Sequence, residues 1–392
     1  MKKELFVEKF TEDKDCSLNP PNFYIGEEAN NEYFNRKNRA WQSAPCVTKT
    51  KGGRIFCTFS GDNSTVGDEC PNNYNILIYS DDNGETWVEN AMIIDHPDSV
   101  RIHGPIMFYA PDGVLWLFWG QSYIYWDSRA GVWAVTCDNP DADTLTWSEP
   151  RRICHGVMAT PPIMTKKGEF LLPVSIWKNI TRHKFNHFPE LEYSCVYAST
   201  DNGKTFTLRG KADDPDTTFD EPTLAELPDG KLLMTQRDEA AISICHSVDG
   251  GYTWSTPRKL MDHISSRSYL ATFPSGNVLL VTNDPEGISE GRSRMTAFLS
   301  KDGGETFPHK LLLYKEPNVS YPAGIVMEDG KALVSFDRNR YTDSEMYLSV
   351  FTEEDILAGE CITNGSFPAK LIFSASEAHG GAEKIFEDGT TW

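Results

Sequence analysis

Short apolar runs recur along the chain from about residue 40 to about residue 350, in two alternating kinds. One kind is opened by a turn glycine: GRIFCTF, GVLWLFW, EFLLPVSIW, GKLLMTQR, GNVLLVTN and GKALVSF. The other kind, NILIYS, CVYAS, ISICHS and MTAFLS, runs straight into a polar octapeptide. Runs this short, β-branched or aromatic and bounded by glycine and aspartate, are strand signals. Helical periodicity of useful length is missing between them. The pattern predicts an all-β chain.

The octapeptides share one formula. Ser-x-Asp-x-Gly-x-Thr-aromatic stands at Ser80 to Trp87 and returns from Ser199, Ser247 and Ser300. A worn copy ends in Thr146 and Trp147 without the Asp-x-Gly core. The starts repeat at about 50 to 60 residues, a period that belongs to repeat architectures in which one unit cannot bury its apolar face alone. Asp and Gly at these offsets are turn chemistry, because Gly supplies positive φ and Asp bonds nearby backbone. Each copy therefore predicts a rim turn away from any substrate. Four strands per repeat make a propeller blade. We expect a six-bladed β-propeller with four-stranded antiparallel blades and Asp-box turns. It should form one domain over residues 1–392, with about 1–35 as a strap or blade closure.

Composition narrows the function. A net charge of −20 argues against nucleic acid or an anionic membrane as partner, since both are bound through Lys and Arg. A few arginines aimed at one point can still hold a small anion inside an acidic protein. The N-terminal MKKELFVEKFTEDKD has acidic residues where a signal peptide needs apolar ones. The expected location is cytoplasmic, or secreted with the leader removed. Nine cysteines without a Cys-x-x-Cys pair fit a reduced compartment and offer no zinc pattern. His183 and His187 lack the Glu of a zincin, so no metal is expected, and nothing calls for a cofactor. Oligomeric state is not legible.

The repeats, together with DEPTLAELPDGKLLMTQR and SYPAGIVMEDGKALVSF, resemble the sialidases and the wider BNR-repeat sialidase-like superfamily over about residues 35 to 360. That resemblance implies an exo-glycosidase removing a terminal acidic sugar with retention. It places the nucleophile on Tyr321 and its base on Glu221. The carboxylate clamp falls on Arg39, Arg237 and Arg292, with Arg294 as the alternative to Arg292. The loop GDNSTVGDECPNN departs from the family pattern. Its general acid is left among Asp62, Asp68 and Glu69.

The residue types make chemical sense on their own. A sialic-type sugar carries its carboxylate on the anomeric carbon, where a carboxylate nucleophile would meet like charge and a tyrosine hydroxyl would not. Aromatics in WGQSYIYWDSRAG add Tyr123 and Trp126 as sugar contacts. His103 in VRIHGP and His155 in ICHGVM are expected to open inner strands and face the axis. They keep open a lyase reading, in which the arginines hold a uronate and a His or Tyr321 removes the neighbouring proton. A non-catalytic glycan-binding propeller is a third possibility. The expected partner is an acidic glycan or glycoconjugate substrate.

Overall fold

The computed structural model describes residues 14–64, 69–98, 100–123, 130–176, 193–214, 217 and 221–375. They form six antiparallel sheets around one axis. Blade 1 runs from the inner strand Trp41–Lys49 outward, and blades 2 to 6 follow in chain order with inner strands Val100–Tyr109, Ile163–Met164, Thr223–Glu226, Tyr269–Thr272 and Val319–Val326. The fold is a six-bladed β-propeller.

The N-terminal strand does not complete blade 6. The sixth blade takes all four strands from the C-terminal part, ending in Phe367–Ser374, while Asn22–Ile25 pairs with Val88–Asp95 as a fifth, outermost strand of blade 1. Among the described residues no strand is exchanged to close the ring. Instead the inner strands of blades 1 and 6 pack side by side. A hydrogen-bonded seam crosses between them, where the Asp337 carboxylate of blade 6 accepts from the Ser43 hydroxyl and from Ala44 N at 3.0 Å. Asn22–Ile25 instead covers an exposed sheet edge.

Between blades the side chains interdigitate in large apolar clusters, one of them joining Phe118, Trp116, Phe170 and Leu172 of blades 2 and 3. All nine cysteines are free, and eight are buried. No helix among the described residues is long and apolar enough to cross a membrane.

The four octapeptides close the same turn. In each, the Ser hydroxyl accepts from the Gly N at 2.8 Å and donates to the Asp carboxylate, which also accepts from the Thr hydroxyl at 2.6 Å. Two consecutive residues sit at positive φ: Asn83 and Gly84, Asn202 and Gly203, Gly250 and Gly251, Gly303 and Gly304. That explains why the position before the invariant Gly is itself Asn or Gly. In the worn copy, Asn139 takes over and accepts from Thr146 N at 3.0 Å. Every turn follows the third strand of its blade, and the strands are antiparallel. The turns therefore lie at the opposite end of the ring from the starts of the inner strands.

Candidate functional site

The inner strands of blades 1, 2 and 6 are eight to ten residues long, while those of blades 3, 4 and 5 have two to four. Each of the three long strands breaks register near its start, between Ser43 and Cys46, His103 and Ile106, and Ser320 and Ala323. Inside each break one residue takes positive φ just before a proline: Ala44 (58°), Gly104 (55°) and Tyr321 (58°). A tyrosine there is strained, since L side chains other than Asn and Asp rarely adopt it and the following proline restricts it further. Strain of this kind persists only where the surroundings fix it, and it gathers at functional sites.

What fixes Tyr321 is a ring of guanidiniums. Its aromatic ring lies 4.0 Å from Arg340, 4.5 Å from Arg267 and 5.4 Å from Arg292, measured from guanidinium carbon to ring centroid. Its hydroxyl is within reach of Arg237 and Arg340. Each cation is held in place. Arg340 donates to Asp337 at 3.1 Å and to Ser320. Arg237 and Arg292 are both tied to Ser265, at 3.3 Å through its hydroxyl and 2.7 Å through its carbonyl. Beneath them Glu221, 3% exposed, takes Arg237 on one oxygen at 2.7 Å and Arg267 on the other at 2.9 Å. Both carboxylate oxygens are thereby engaged.

The electrostatics follow. Burial pushes the Glu221 carboxyl up, but Arg267 and Arg237 outweigh it and bring it down to about 2. Burial likewise raises the Tyr321 phenol, and Arg340, Arg292 and Arg237 overcome that and lower it below the usual tyrosine range. Glu69 is lowered too, with Arg101 and Arg340 overcoming its desolvation. His103 is driven well below its ordinary value by burial, then by Arg101 and Arg267. Burial, Arg237 and Arg292 bring His263 to about 3, and its ring meets the Thr282 hydroxyl at 2.7 Å. The site thus holds fixed positive charge, ionised carboxylates and neutral imidazoles.

Of the residues singled out from the sequence, Tyr321, Glu221, Arg237 and Arg292 come together here. Glu69 and His103 stand beside them, Glu69 bonded to Arg101 at 2.9 Å. Arg39 does not join. It is fully buried under blade 1 against Gln42, Asn90 and the Phe34 carbonyl, with Phe59 and Phe373 beside its guanidinium. Arg340, from a turn of blade 6, stands against the Tyr321 ring instead. Arg294 points outward to Glu286 at 3.3 Å, so Arg292 is the arginine of that pair at the site. Asp62 is fully buried and accepts from Ser64 N and Oγ, at 2.9 and 2.6 Å. Tyr123 ends its strand buried in a large apolar core cluster. His155 ends the outermost strand of blade 2 beside Arg152, not an inner strand. Trp126, Asp68, His183 and His187 lie outside the described residues.

Arg101, Arg267, Arg340 and Asp337 are the residues that sequence reasoning missed. A signal was present. Five of the six blades begin near an X-Pro pair: Ala44-Pro45, Gly104-Pro105, Thr160-Pro161, Glu221-Pro222 and Tyr321-Pro322. The residue before each proline marks the ring's upper mouth, and polar residues near it are the candidates.

A six-bladed propeller with a strained tyrosine inside an arginine ring defines a protein of the sialidase-like superfamily. Residues 53–334 match the BNR repeat-like domain, and the chain belongs to that family. Among curated relatives, a sialidase of Micromonospora viridifaciens is 25% identical over 320 residues, 73% of this chain and 48% of that protein. A sialidase of Paraclostridium sordellii is 25% identical over 192 residues, 48% of this chain and 34% of the relative. The chain thus spans between a third and a half of the length of these relatives. Among solved structures, the Hadza microbial sialidase Hz136 superposes with a TM-score of 0.66 at 18% identity, covering 82% of this chain and 67% of that one. An α-L-arabinanase of Penicillium chrysogenum reaches 0.56 at 16% identity, covering 81% and 94%. Identities this low show a common fold.

Proposed function

We propose that this protein is a retaining exo-glycosidase that removes a terminal, sialic acid-like sugar. The observation that supports it is Tyr321, held at positive φ among Arg237, Arg267, Arg292 and Arg340 above Glu221. Arg237, Arg292 and Arg340 form the clamp for the sugar carboxylate, since planar guanidiniums bind an oxyanion through paired N–H groups. With the carboxylate so placed, the Tyr321 oxygen attacks the anomeric carbon, the bond to the leaving oxygen breaks, and water later releases the sugar from the tyrosyl intermediate.

Glu221 accepts the phenol proton, in a way that depends on substrate. In the free site two guanidiniums hold its carboxyl at about 2, too low for an effective base. The incoming carboxylate competes for Arg237 and lifts Glu221 back toward ordinary basicity. Substrate binding thereby arms the base. Glu69, kept ionised by Arg101 and Arg340, is not charged with a proton to give to the leaving group. That step falls to another donor, of which Asp68, next to Glu69 in the sequence, is the candidate.

The test is a release assay on acidic glycosides, with Tyr321→Phe alongside the wild type. Turnover should fall by at least about 1,000-fold while the acidic ligand still binds. A fluorinated acidic sugar fluoride should leave a covalent adduct on the Tyr321 peptide. An unsaturated, ultraviolet-absorbing product would instead establish the lyase reading.

A further inference from the structure

The register breaks that open three inner strands are copies of one another. In blades 6, 1 and 2, neighbours around the ring, two residues stand opposite one buried aromatic of the second strand: Tyr321 and Pro322 opposite Phe336, Ala44 and Pro45 opposite Phe59, Gly104 and Pro105 opposite Trp119. The first residue of each pair has the same backbone, at φ 58°, 58° and 55°. Bulges of this kind re-aim a side chain, and equal backbone at an equal place in equivalent strands aims it alike in each blade. In blade 6 that direction carries the Tyr321 ring among the arginines. In blades 1 and 2 it carries only a methyl group and a hydrogen.

Exposure supports the equivalence. Ala44 and Tyr321 are each 9% exposed and Gly104 is half-buried, while Ser43, His103 and Ser320 before them and Cys46, Ile106 and Ala323 after the prolines are at most 3% exposed. Among the described residues nothing comes within 4 Å of where a Cβ on Gly104 would stand. The backbone donors at this place are already used, Ala44 N on Asp337 at 3.0 Å and Gly104 N on the Ser60 hydroxyl at 3.1 Å. Substrate geometry then decides what meets it. The clamp arginines come from blades 4, 5 and 6, and a sialic-type sugar bears its carboxylate and its ring on one carbon. With the carboxylate held there, the body of the ring leads toward blades 1 and 2.

We propose that Ala44 and Gly104 form a shelf of nearly bare backbone that selects the sugar by size: a bulky ring substituent remote from the carboxylate, such as an acylamido group, lies against them and is preferred to a hydroxyl. The inference rests on the glycosidase reading and deepens it to substrate class. A bulky group gains by leaving water for the Ala44 methyl and the Gly104 Cα. A hydroxyl finds no N–H to bond there, because both are given to Asp337 and Ser60. A side chain at Gly104 would occupy the space that the substituent needs.

Steady-state kinetics of the full chain test this on umbelliferyl ketosides of N-acetylneuraminate and of two analogues, in which a hydroxyl or a longer acylamido group replaces the acetamido group. The wild type should favour acetamido over hydroxyl in kcat/KM. Gly104→Ala should lower kcat/KM on both acylamido sugars by at least about 10-fold, through KM, and leave the hydroxyl sugar within about 2-fold of the wild type. The bulge accepts a Cβ, since Ala44 and Tyr321 carry one at the same φ. Ala44→Gly, at a φ that glycine adopts freely, should raise the longer acylamido sugar relative to the acetamido one. That variant decides the matter if Gly104→Ala fails to fold. The proposal is overturned if the wild type favours the hydroxyl sugar, or if neither variant changes the ranking by size. Release from the ketosides with an unmoved ranking sinks the shelf alone, whereas a wild type that releases none of them sinks the glycosidase reading and the shelf with it.

Discussion

The two mouths of the axial channel are built from the same strands by opposite rules. At the lower mouth the octapeptide turns repeat one sequence four times, and each satisfies its polar groups within itself. The strand ends there frame a cavity of about 740 Å³ lined by residues such as Met107, Ile163, Phe273, Ile325 and Met327, with lysines and acids at its edge. At the upper mouth each blade contributes a different set of side chains. Tyr321 comes from blade 6, Glu221 and Arg237 from blade 4, Arg101 from blade 2, Arg267 from the connection ahead of blade 5, and Arg292 from the loop between the second and third strands of blade 5. Each needs a partner on another blade. Local, self-sufficient chemistry can be copied, whereas a convergent site must be written once.

The largest expected effect is catalytic and belongs to the upper mouth. Tyr321→Phe should abolish turnover while relieving none of the structure's needs, so its melting temperature should stay within a few degrees of the wild type. A stable variant that keeps full activity would remove the upper mouth from the chemistry altogether. Glu221→Gln should lose activity to a similar degree. The double variant should be hardly worse than either single one, because the two groups act as a unit.

Next in size is a stability effect specific to the blade 1 and blade 6 seam. Arg340→Gln strands Asp337, which is fully buried, and loss of one partner of a buried ion pair costs about 3 to 5 kcal/mol. Urea denaturation should show that loss together with weaker binding of the acidic ligand. Arg237→Lys should separate the two properties, weakening the ligand through loss of the planar fork while the fold keeps its cation against Glu221.

The lower mouth should respond more mildly and without touching activity. Ser300→Ala removes the acceptor for Gly304 N and the donor to Asp302, in a buried position, and should cost about 1 to 3 kcal/mol. The same substitution at Ser80 or Ser247 should give a similar loss at unchanged kcat. A large drop in activity from any of them would break the division between the two ends.

The smallest expected effect is in acid. Hydrogen bonds from Thr86 and Ser80 hold Asp82 down to about 2, and Asp302 reaches the same value because its Thr306 and Ser300 bonds outweigh desolvation. Glu221 is also at about 2. These carboxyls have folded values below their unfolded ones, so the stability they contribute is present above about pH 4 to 5 and is lost as the pH falls toward 2. Stability measured from pH 6 to pH 2 should decline with uptake of several protons. Ser80→Ala should flatten that slope slightly, and a slope it leaves unchanged would show that the turns do not contribute to it.

Much of the fold was legible because its determinants are local. Apolar runs and turn glycines mark the strands, and the octapeptides carry their own hydrogen bonds. Closure was not legible. Whether Asn22–Ile25 completes blade 6 or lies outside blade 1 depends on which edge it meets, and nothing in NFYI names that edge.

The site divides in the same way. Glu221, Arg237 and Tyr321 were legible through the family resemblance that DEPTLAELPDGKLLMTQR and SYPAGIVMEDGKALVSF carry. Arg39 misled because an arginine ahead of the first blade's inner strand has two places to go. The register break after Ser43 leaves its guanidinium under the blade instead of over the axis. Arg340 fills the gap from a turn some 300 residues later, held by an aspartate that Ser43 also binds. By itself the sequence determined strands, turns, their count and the pairs carried within one repeat, since those rest on interactions between near neighbours. Only the tertiary structure decided which cations surround Tyr321, because a guanidinium on a long flexible stem takes its position from partners that ring closure brings together.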